Sequence, residues 1–232
     1  EADAELRHTI HRIDTQTLGE SRHIFTISRN VSRRLLQYNG LPSEPLYPPP
    51  ALDGQFRNNG YGDYVLSVSR LNVMKRIDQL VLAMGRVKTP VRCRIAGRGE
   101  ELDRLQRLAR QVGADQRIDF LGFVTNEEVL DLYAGALCVY YAPQDEDYGF
   151  ATIEAMRCQK PVLTMDDSGE VLEFVEDGVT GCVVPARDTA AMARQIDQLY
   201  LHRAAAEHMG AAGQKRVSGI TWDATVRRLL GA

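Results

Sequence analysis

Ala136-Leu137-Cys138-Val139-Tyr140-Tyr141, then Glu146-Asp147-Tyr148-Gly149-Phe150-Ala151-Thr152-Ile153-Glu154-Ala155-Met156, then Pro161-Val162-Leu163-Thr164-Met165 is the stretch on which the fold turns. Two short apolar runs of strand length bracket a segment with helical spacing, so the order is strand, loop, helix, strand. Short connections of this kind imply parallel pairing, because the chain must cross back over the sheet through the helix. In open parallel sheets, ligands collect in the loops that follow strand C-termini, and Glu146 stands in such a loop.

Working outward, the same alternation continues on both sides. Tyr64–Val68 is followed by a helix from about Lys75 to Val87, Val91–Ala96 by one from about Glu100 to Val112, and Ile118–Leu121 by one near Asn126–Ala134. Beyond the central stretch come a short helix near Gly169–Val175, a strand at Cys182–Val184 and an Ala-rich helix or helix pair from Thr189 to Val217. The fold class is therefore α/β, a doubly wound parallel sheet over residues 63–218. A C-terminal amphipathic helix, Trp222 to Leu230, occupies 219–232. Residues 1–50 read as the remnant of a preceding domain: a polar helix from Ala2 to Asp14, a strand at His23–Ile27 and a helix Asn30–Tyr38 closed by Gly40, a strand-helix unit without a sheet. Residues 51–62 have the Gly- and Asn-containing composition of a linker, after Tyr47-Pro48-Pro49-Pro50. The chain starts on Glu1 within a helix-like stretch and reads as a fragment.

Composition narrows the function classes. Apolar residues make up 44% and charged residues 25%, ordinary for a globular chain, and a formal net charge of −3 gives no footprint for nucleic acid. No apolar run approaches the roughly 20 residues of a membrane span and no signal-peptide pattern opens the chain, so a cytoplasmic location is expected. Cys93, Cys138, Cys158 and Cys182 have no CxxC or metal-ligand spacing and read as reduced, buried hydrophobes; the five histidines are scattered and suggest no metal.

Several side chains carry chemistry. A helix starting near Tyr148 turns its first free N–H groups and its dipole toward a phosphate, with Gly149 keeping the backbone approachable and Phe150 following it. Glu154, about two turns in, can accept both hydroxyls of a cis-diol such as a ribose, and Glu146 can meet hydroxyls of a sugar beyond the phosphates. The loop Ser69-Arg70-Leu71-Asn72-Val73-Met74-Lys75 places two cations just past a strand, where Arg70 and Lys75 can offset charge on a departing diphosphate. Ala96-Gly97-Arg98-Gly99 is a further Gly-containing turn after a strand, although its GxG lacks the third glycine of a dinucleotide fingerprint. Taken one at a time, each of these has a bland alternative as a solvated surface charge.

Together they resemble a known family. From Tyr64 to Leu230, about seven-tenths of the chain, the sequence resembles the C-terminal nucleotide-sugar-binding domain of retaining GT-B glycosyltransferases, specifically glycosyltransferase family 4. The resemblance rests on the Ser-Arg-Leu loop with its lysine, Ile95-Ala96-Gly97-Arg98-Gly99, Phe120-Leu121-Gly122-Phe123-Val124, the two-Glu motif and Glu176-Asp177-Gly178-Val179-Thr180-Gly181. Residues 21–50 are similar to the end of that family's N-terminal acceptor domain. The resemblance implies Arg70 and Lys75 on the diphosphate, Glu154 on the ribose, Glu146 on the transferred sugar, amides near Tyr148, Gly149 and Phe150 on phosphate or sugar, and Gly122, Phe123 and Val124 by the base. It also implies a metal-independent retaining transfer by the whole protein, with no cofactor beyond the UDP- or GDP-linked donor as substrate. With most of the acceptor domain absent, the chain alone is expected to bind without turnover.

One departure is local. Where family members commonly carry two glycines, this chain has Gly169-Glu170, whose added carboxylate can narrow the pocket, repel phosphate or face solvent. Asp145-Glu146-Asp147 also spells the metal-binding DxD of the other large glycosyltransferase fold, but the second Glu at 154 favours the metal-free reading. The alternatives are a non-catalytic nucleotide-binding module, or a sugar-nucleotide epimerase or phosphorylase of the same architecture. The basic segment Arg29–Arg34 reads as a solvated helix face, with peripheral contact to anionic lipid at the inner face of a membrane as the alternative.

Overall fold

The computed structural model describes residues 2–231. Contacts divide the chain into two compact units, one running through Pro49 and joined by the segment from Ile220 onward, the other Pro50–Gly219.

In the first unit, helix α1 (Ala2–Gly19) leads to strand β1 (Phe25–Thr26), helix α2 (Arg29–Asn39) and strand β2 (Glu44–Pro45). Ser28 caps α2 by accepting from the Val31 amide at 3.1 Å, and Gly40 closes it at φ 68°. The expectation of a strand without a sheet is corrected, because β1 pairs in parallel with β2. Glu44-Pro45 has no strand-like pattern of its own. Pairing comes instead from backbone, the amides of Glu44 and Leu46 donating to the carbonyls of Ile24 and Thr26 at 3.0 and 2.8 Å. Helix α10 (Trp222–Leu230) belongs to this unit, with Arg228 Nε donating to Glu44 at 2.8 Å.

The second unit contains β3 (Tyr64–Val68), α3 (Ile77–Met84), β4 (Arg92–Ala96), α4 (Leu102–Gln111), β5 (Ile118–Gly122), α5 (Asn126–Gly135) and β6 (Cys138–Tyr140). It continues with α6 (Phe150–Arg157), β7 (Val162–Met165), α7 (Val171–Phe174), β8 (Gly181–Val184), α8 (Thr189–Leu201) and α9 (Arg203–Val217). Its strands form one parallel sheet in the order β5-β4-β3-β6-β7-β8. The sheet grows outward in both directions from its middle, and right-handed crossovers then place α3 and α4 on one face and α6 on the other. Both faces are therefore covered, which is why Val65, Leu66, Cys138, Val139 and Tyr140 are fully buried in succession rather than alternating with polar residues.

Two local features differ from the sequence pattern. A 3-10 turn, Val73–Lys75, precedes α3, and α6 starts at Phe150 rather than near Tyr148. Residues 51–62 are fastened along the second unit. The amides of Asn59 and Gly62 donate to the carbonyls of Ala134 and Gly135 at 2.9 and 3.1 Å, and Asp53 pairs with Arg157 at 3.3 Å. Lys160, fully buried, donates to Asn58 Oδ1 at 2.6 Å and to the Gly60 carbonyl, and lies over the Tyr61 ring. Burial lowers its ammonium to about 8.

Candidate functional site

The strand order reverses between β3 and β6, so the loops that follow these two strands diverge and leave a crevice. Those loops carry Arg70 and Lys75 on one side and Glu146 on the other. Lys75 Nζ pairs with Glu146 Oε2, and the Tyr141 hydroxyl lies 3.0 Å from Lys75 Nζ and 2.9 Å from the same carboxylate oxygen. Lys75 also stands 5.3 Å from the Tyr141 ring centroid. Side chains of Lys75 and Glu146 are 22% and 19% exposed, largely enclosed but still accessible.

Glu154 projects from α6 and accepts a hydrogen bond from the Tyr133 hydroxyl at 2.8 Å through Oε2. Burial pushes its carboxyl above the usual range, partly opposed by that bond. Tyr133 is fully buried and held well above its ordinary value, so it stays a donor. Burial, then Glu146, with Glu154 contributing, also raises the Tyr141 hydroxyl. Glu146 is bonded to the Tyr141 phenol directly, while Glu154 adds only to its electrostatic surroundings and is itself held by Tyr133.

The second wall of the site follows β3, β4 and β5. A cavity of about 500 Å³ is lined by Arg70, Gly97, Arg98, Gly99, Phe123 and Val124, among others. Gly97, at φ 139°, lies so close to the β3 loop that a Cβ there would sit 1.8 Å from the Ser69 carbonyl oxygen. Phe123 is 67% exposed with the Arg98 guanidinium 5.2 Å from its ring, a flat platform of the kind a heteroaromatic base stacks on. Arg70 is exposed at the rim.

Around α6 the expectation divides. Gly149 takes φ 81°, and a Cβ there would meet Tyr141 at 2.8 Å, so the tight entry to the helix requires glycine. Tyr148 is 2% exposed and packs edge-on against Phe150 and Phe174, so its ring belongs to the core and only its backbone is placed for a ligand. Phe150 is 44% exposed. Glu170 is 3% exposed, which removes the solvent-facing reading, and its amide donates to the Glu146 carbonyl at 2.9 Å. No group of three or more His, Cys, Asp or Glu able to hold a metal ion occurs among the described residues. The four cysteines are buried and unbridged, with Cys158 and Cys182 pushed up to about 12 by burial.

The sequence pattern does not single out Tyr133, Tyr141, Arg76 or Asp167. Tyr141 closes the quoted strand run, and Arg76 follows Lys75 directly, but neither position advertises a partner 66 residues away in the chain. Only the sheet order supplies those neighbours.

A doubly wound α/β unit with an ammonium–carboxylate pair at its switch point has the fold of one half of a GT-B protein. The sequence profile of glycosyl transferases group 1 matches residues 51–216, and the chain belongs to that family. It is 29% identical over 181 residues to D-inositol 3-phosphate glycosyltransferase of Frankia alni, covering 73% of this chain and 44% of that protein. It is also 29% identical over 204 residues to a GDP-mannose-dependent alpha-(1-6)-phosphatidylinositol monomannoside mannosyltransferase of Mycobacterium tuberculosis, covering 82% and 53%. Anabaena HepE, solved with UDP and glucose, superposes with a TM-score of 0.85 at 19% identity over 96% of this chain and 66% of that one. Sucrose-phosphate synthase from Thermosynechococcus elongatus gives 0.84 at 22% identity over 97% and 60%. The chain spans about half the length of the curated relatives it matches. No helix among the described residues is long and apolar enough to cross a membrane.

Proposed function

We propose that this chain is the donor-binding part of a glycosyltransferase that moves a sugar from a nucleotide-sugar to an acceptor, with retention at the anomeric carbon and without a metal ion. The observation that carries the reading is the Lys75–Glu146–Tyr141 cluster at the switch point, beside the cavity rimmed by Arg70. A donor laid along this crevice puts its base against Phe123 and Val124, its ribose diol on Glu154 and its diphosphate near Arg70, Lys75 and the backbone at Gly149 and Phe150. Its sugar then reaches Glu146.

Departure of the nucleoside diphosphate concentrates negative charge on the phosphates, and preorganised cations stabilise that charge more as it develops than in the ground state. Lys75 does this at the cost of sharing Glu146, which in turn is freed to accept a sugar hydroxyl. Retention follows if the departing phosphate guides the acceptor to the face it leaves, a mechanism the family resemblance implies. The acceptor is recognised by parts of the protein beyond this chain, so the chain binds donor without sustained turnover. The relative that uses GDP-mannose and the neighbour solved with UDP and glucose support a diphosphate-linked sugar as the donor class. We place the protein in the cytoplasm.

Calorimetric titration of the chain with UDP, GDP and their sugar conjugates, with and without chelator, tests the reading. Saturable binding of one base class, unchanged by chelator, is expected. Binding that vanishes with chelator would refute the metal-free part, sustained sugar transfer by the chain would refute the division of labour, and failure of every nucleotide to bind would refute the donor site.

A further inference from the structure

One largely enclosed cation has no role in the ligand contacts above. Arg76 follows Lys75 with φ 50°, a left-handed conformation that an arginine holds only when its surroundings fix it there. Its Nε donates to the Ala142 carbonyl at 2.7 Å and its Nη2 to the Pro143 carbonyl at 2.8 Å. Nη1 and Nη2 grip both oxygens of Asp167 at 2.8 and 2.7 Å, and the Arg76 carbonyl accepts the Tyr140 hydroxyl at 2.7 Å. The side chain is 11% exposed, and the guanidinium holds the Asp167 carboxyl below the usual range. A planar fork of five donors suits this geometry, which a lysine cannot reproduce.

The guanidinium therefore joins the loops after β3, β6 and β7. Asp167 relays the connection: its carbonyl accepts the Asp145 amide at 2.9 Å, Glu146 bridges in parallel to Gly169, and the Glu170 amide donates to the Glu146 carbonyl at 2.9 Å. Lys75 is fixed through its peptide bond to Arg76, and Glu146 through Asp167. We propose that Arg76 is a positioning residue that locks these three loops so that Glu146 and Lys75 are aimed at the sugar and diphosphate of the donor, an inference that rests on the donor-binding reading above.

The test uses Arg76→Gly, since glycine takes the left-handed backbone freely and removes only the clamp, with Arg76→Lys and Asp167→Asn alongside. Two quantities are read on the whole chain: amide hydrogen exchange without ligand, and calorimetric affinities for UDP against UDP-glucose and GDP against GDP-mannose. Exchange at Asp145 and Glu170 is expected to rise about tenfold in Arg76→Gly while the β3 and β4 amides keep their protection. The preference for the sugar conjugate over the bare diphosphate is expected to fall about fivefold, the scale of one lost hydrogen bond, and Arg76→Lys should not restore it. Asp167→Asn should reproduce part of both changes. Unchanged exchange at Asp145 and Glu170 would overturn the clamp, as would an equal loss of both ligands accompanied by faster exchange throughout the sheet. A wild-type chain that binds no nucleotide would remove the donor reading and with it the aiming role, whereas intact binding with an unchanged conjugate preference would sink this inference alone.

Discussion

The substitution Glu154→Gln separates what the carboxylate does for the ligand from what it costs the fold. It keeps side-chain volume and an acceptor for the Tyr133 hydroxyl, which now sits 2.8 Å from Oε2, but removes the charge. Burial raises the folded pKa of Glu154 above its ordinary value of 4.5, so the native state binds a proton more tightly than the unfolded chain does. Stability therefore falls as pH rises from the ordinary carboxylate value through the raised one, and at neutral pH the charged group is a net burden on the fold. A neutral amide at this position carries no such burden. The variant is expected to melt at or above the wild-type temperature at pH 7, with a flatter dependence of stability on pH above the ordinary carboxylate value of 4.5. Affinity for a nucleoside diphosphate should drop by about 1.5–3 kcal/mol, the worth of hydrogen bonds to a charged acceptor, or roughly 10- to 150-fold. Thermal unfolding across pH and calorimetric titration of the same preparations decide both halves. Undiminished affinity would refute the ribose assignment, and a variant that melts lower with the wild-type pH slope would refute the burial reasoning.

Tyr133→Phe takes the opposite partner: losing the bond that lowers the Glu154 pKa should move the acid loss of nucleotide affinity to higher pH, visible in titrations run from about pH 5 to 8. Gly97→Ala is expected to destabilise the chain and abolish nucleotide binding, because its Cβ would lie 1.8 Å from the Ser69 oxygen and φ 139° disfavours a side chain; a stable, binding-competent variant would mean the two loops are not held together as described. Leu66→Ala, in the centre of the sheet at 0% exposure, should cost about 2–5 kcal/mol in denaturant unfolding. Lys160 gives a second pH signature: with its folded pKa lowered from 10.5 to about 8, its contribution to stability should rise as pH increases through that window, and Lys160→Met should remove the rise.

How far the sequence could be read depended on the range of the interaction. The helices Asn126–Gly135 and Trp222–Leu230 were legible almost residue for residue, because caps and apolar spacing are local; Thr125 and Glu128 complete a capping box at the first. The start of α6 was legible only to within two residues, since Gly149, pressed against Tyr141, takes the left-handed conformation at φ 81° and delays the helix to Phe150. Glu146, Lys75, Glu154 and Arg70 were named from motif and spacing. Tyr133, the partner of Glu154, and Asp167, the partner of Arg76, were not, because each lies on a different strand-loop or helix from the residue it serves, and Tyr141 was not because its bond to Lys75 crosses 66 positions of chain.

By itself, then, the sequence determined the alternation of strands and helices, the parallel sheet and the family, all properties carried by short local runs of residues. The tertiary structure alone decided that β3 and β6 are neighbours while β4 and β7 grow away from them, and so brought Lys75 against Glu146 across 71 positions of chain. It also decided that Glu170 is buried rather than solvated and that Glu44-Pro45 forms a strand. The physical reason is common to all of these. Strand order and burial are fixed by the requirement that both faces of the sheet be covered and every buried backbone group be paired, and that condition is met by the chain as a whole rather than by any segment of it.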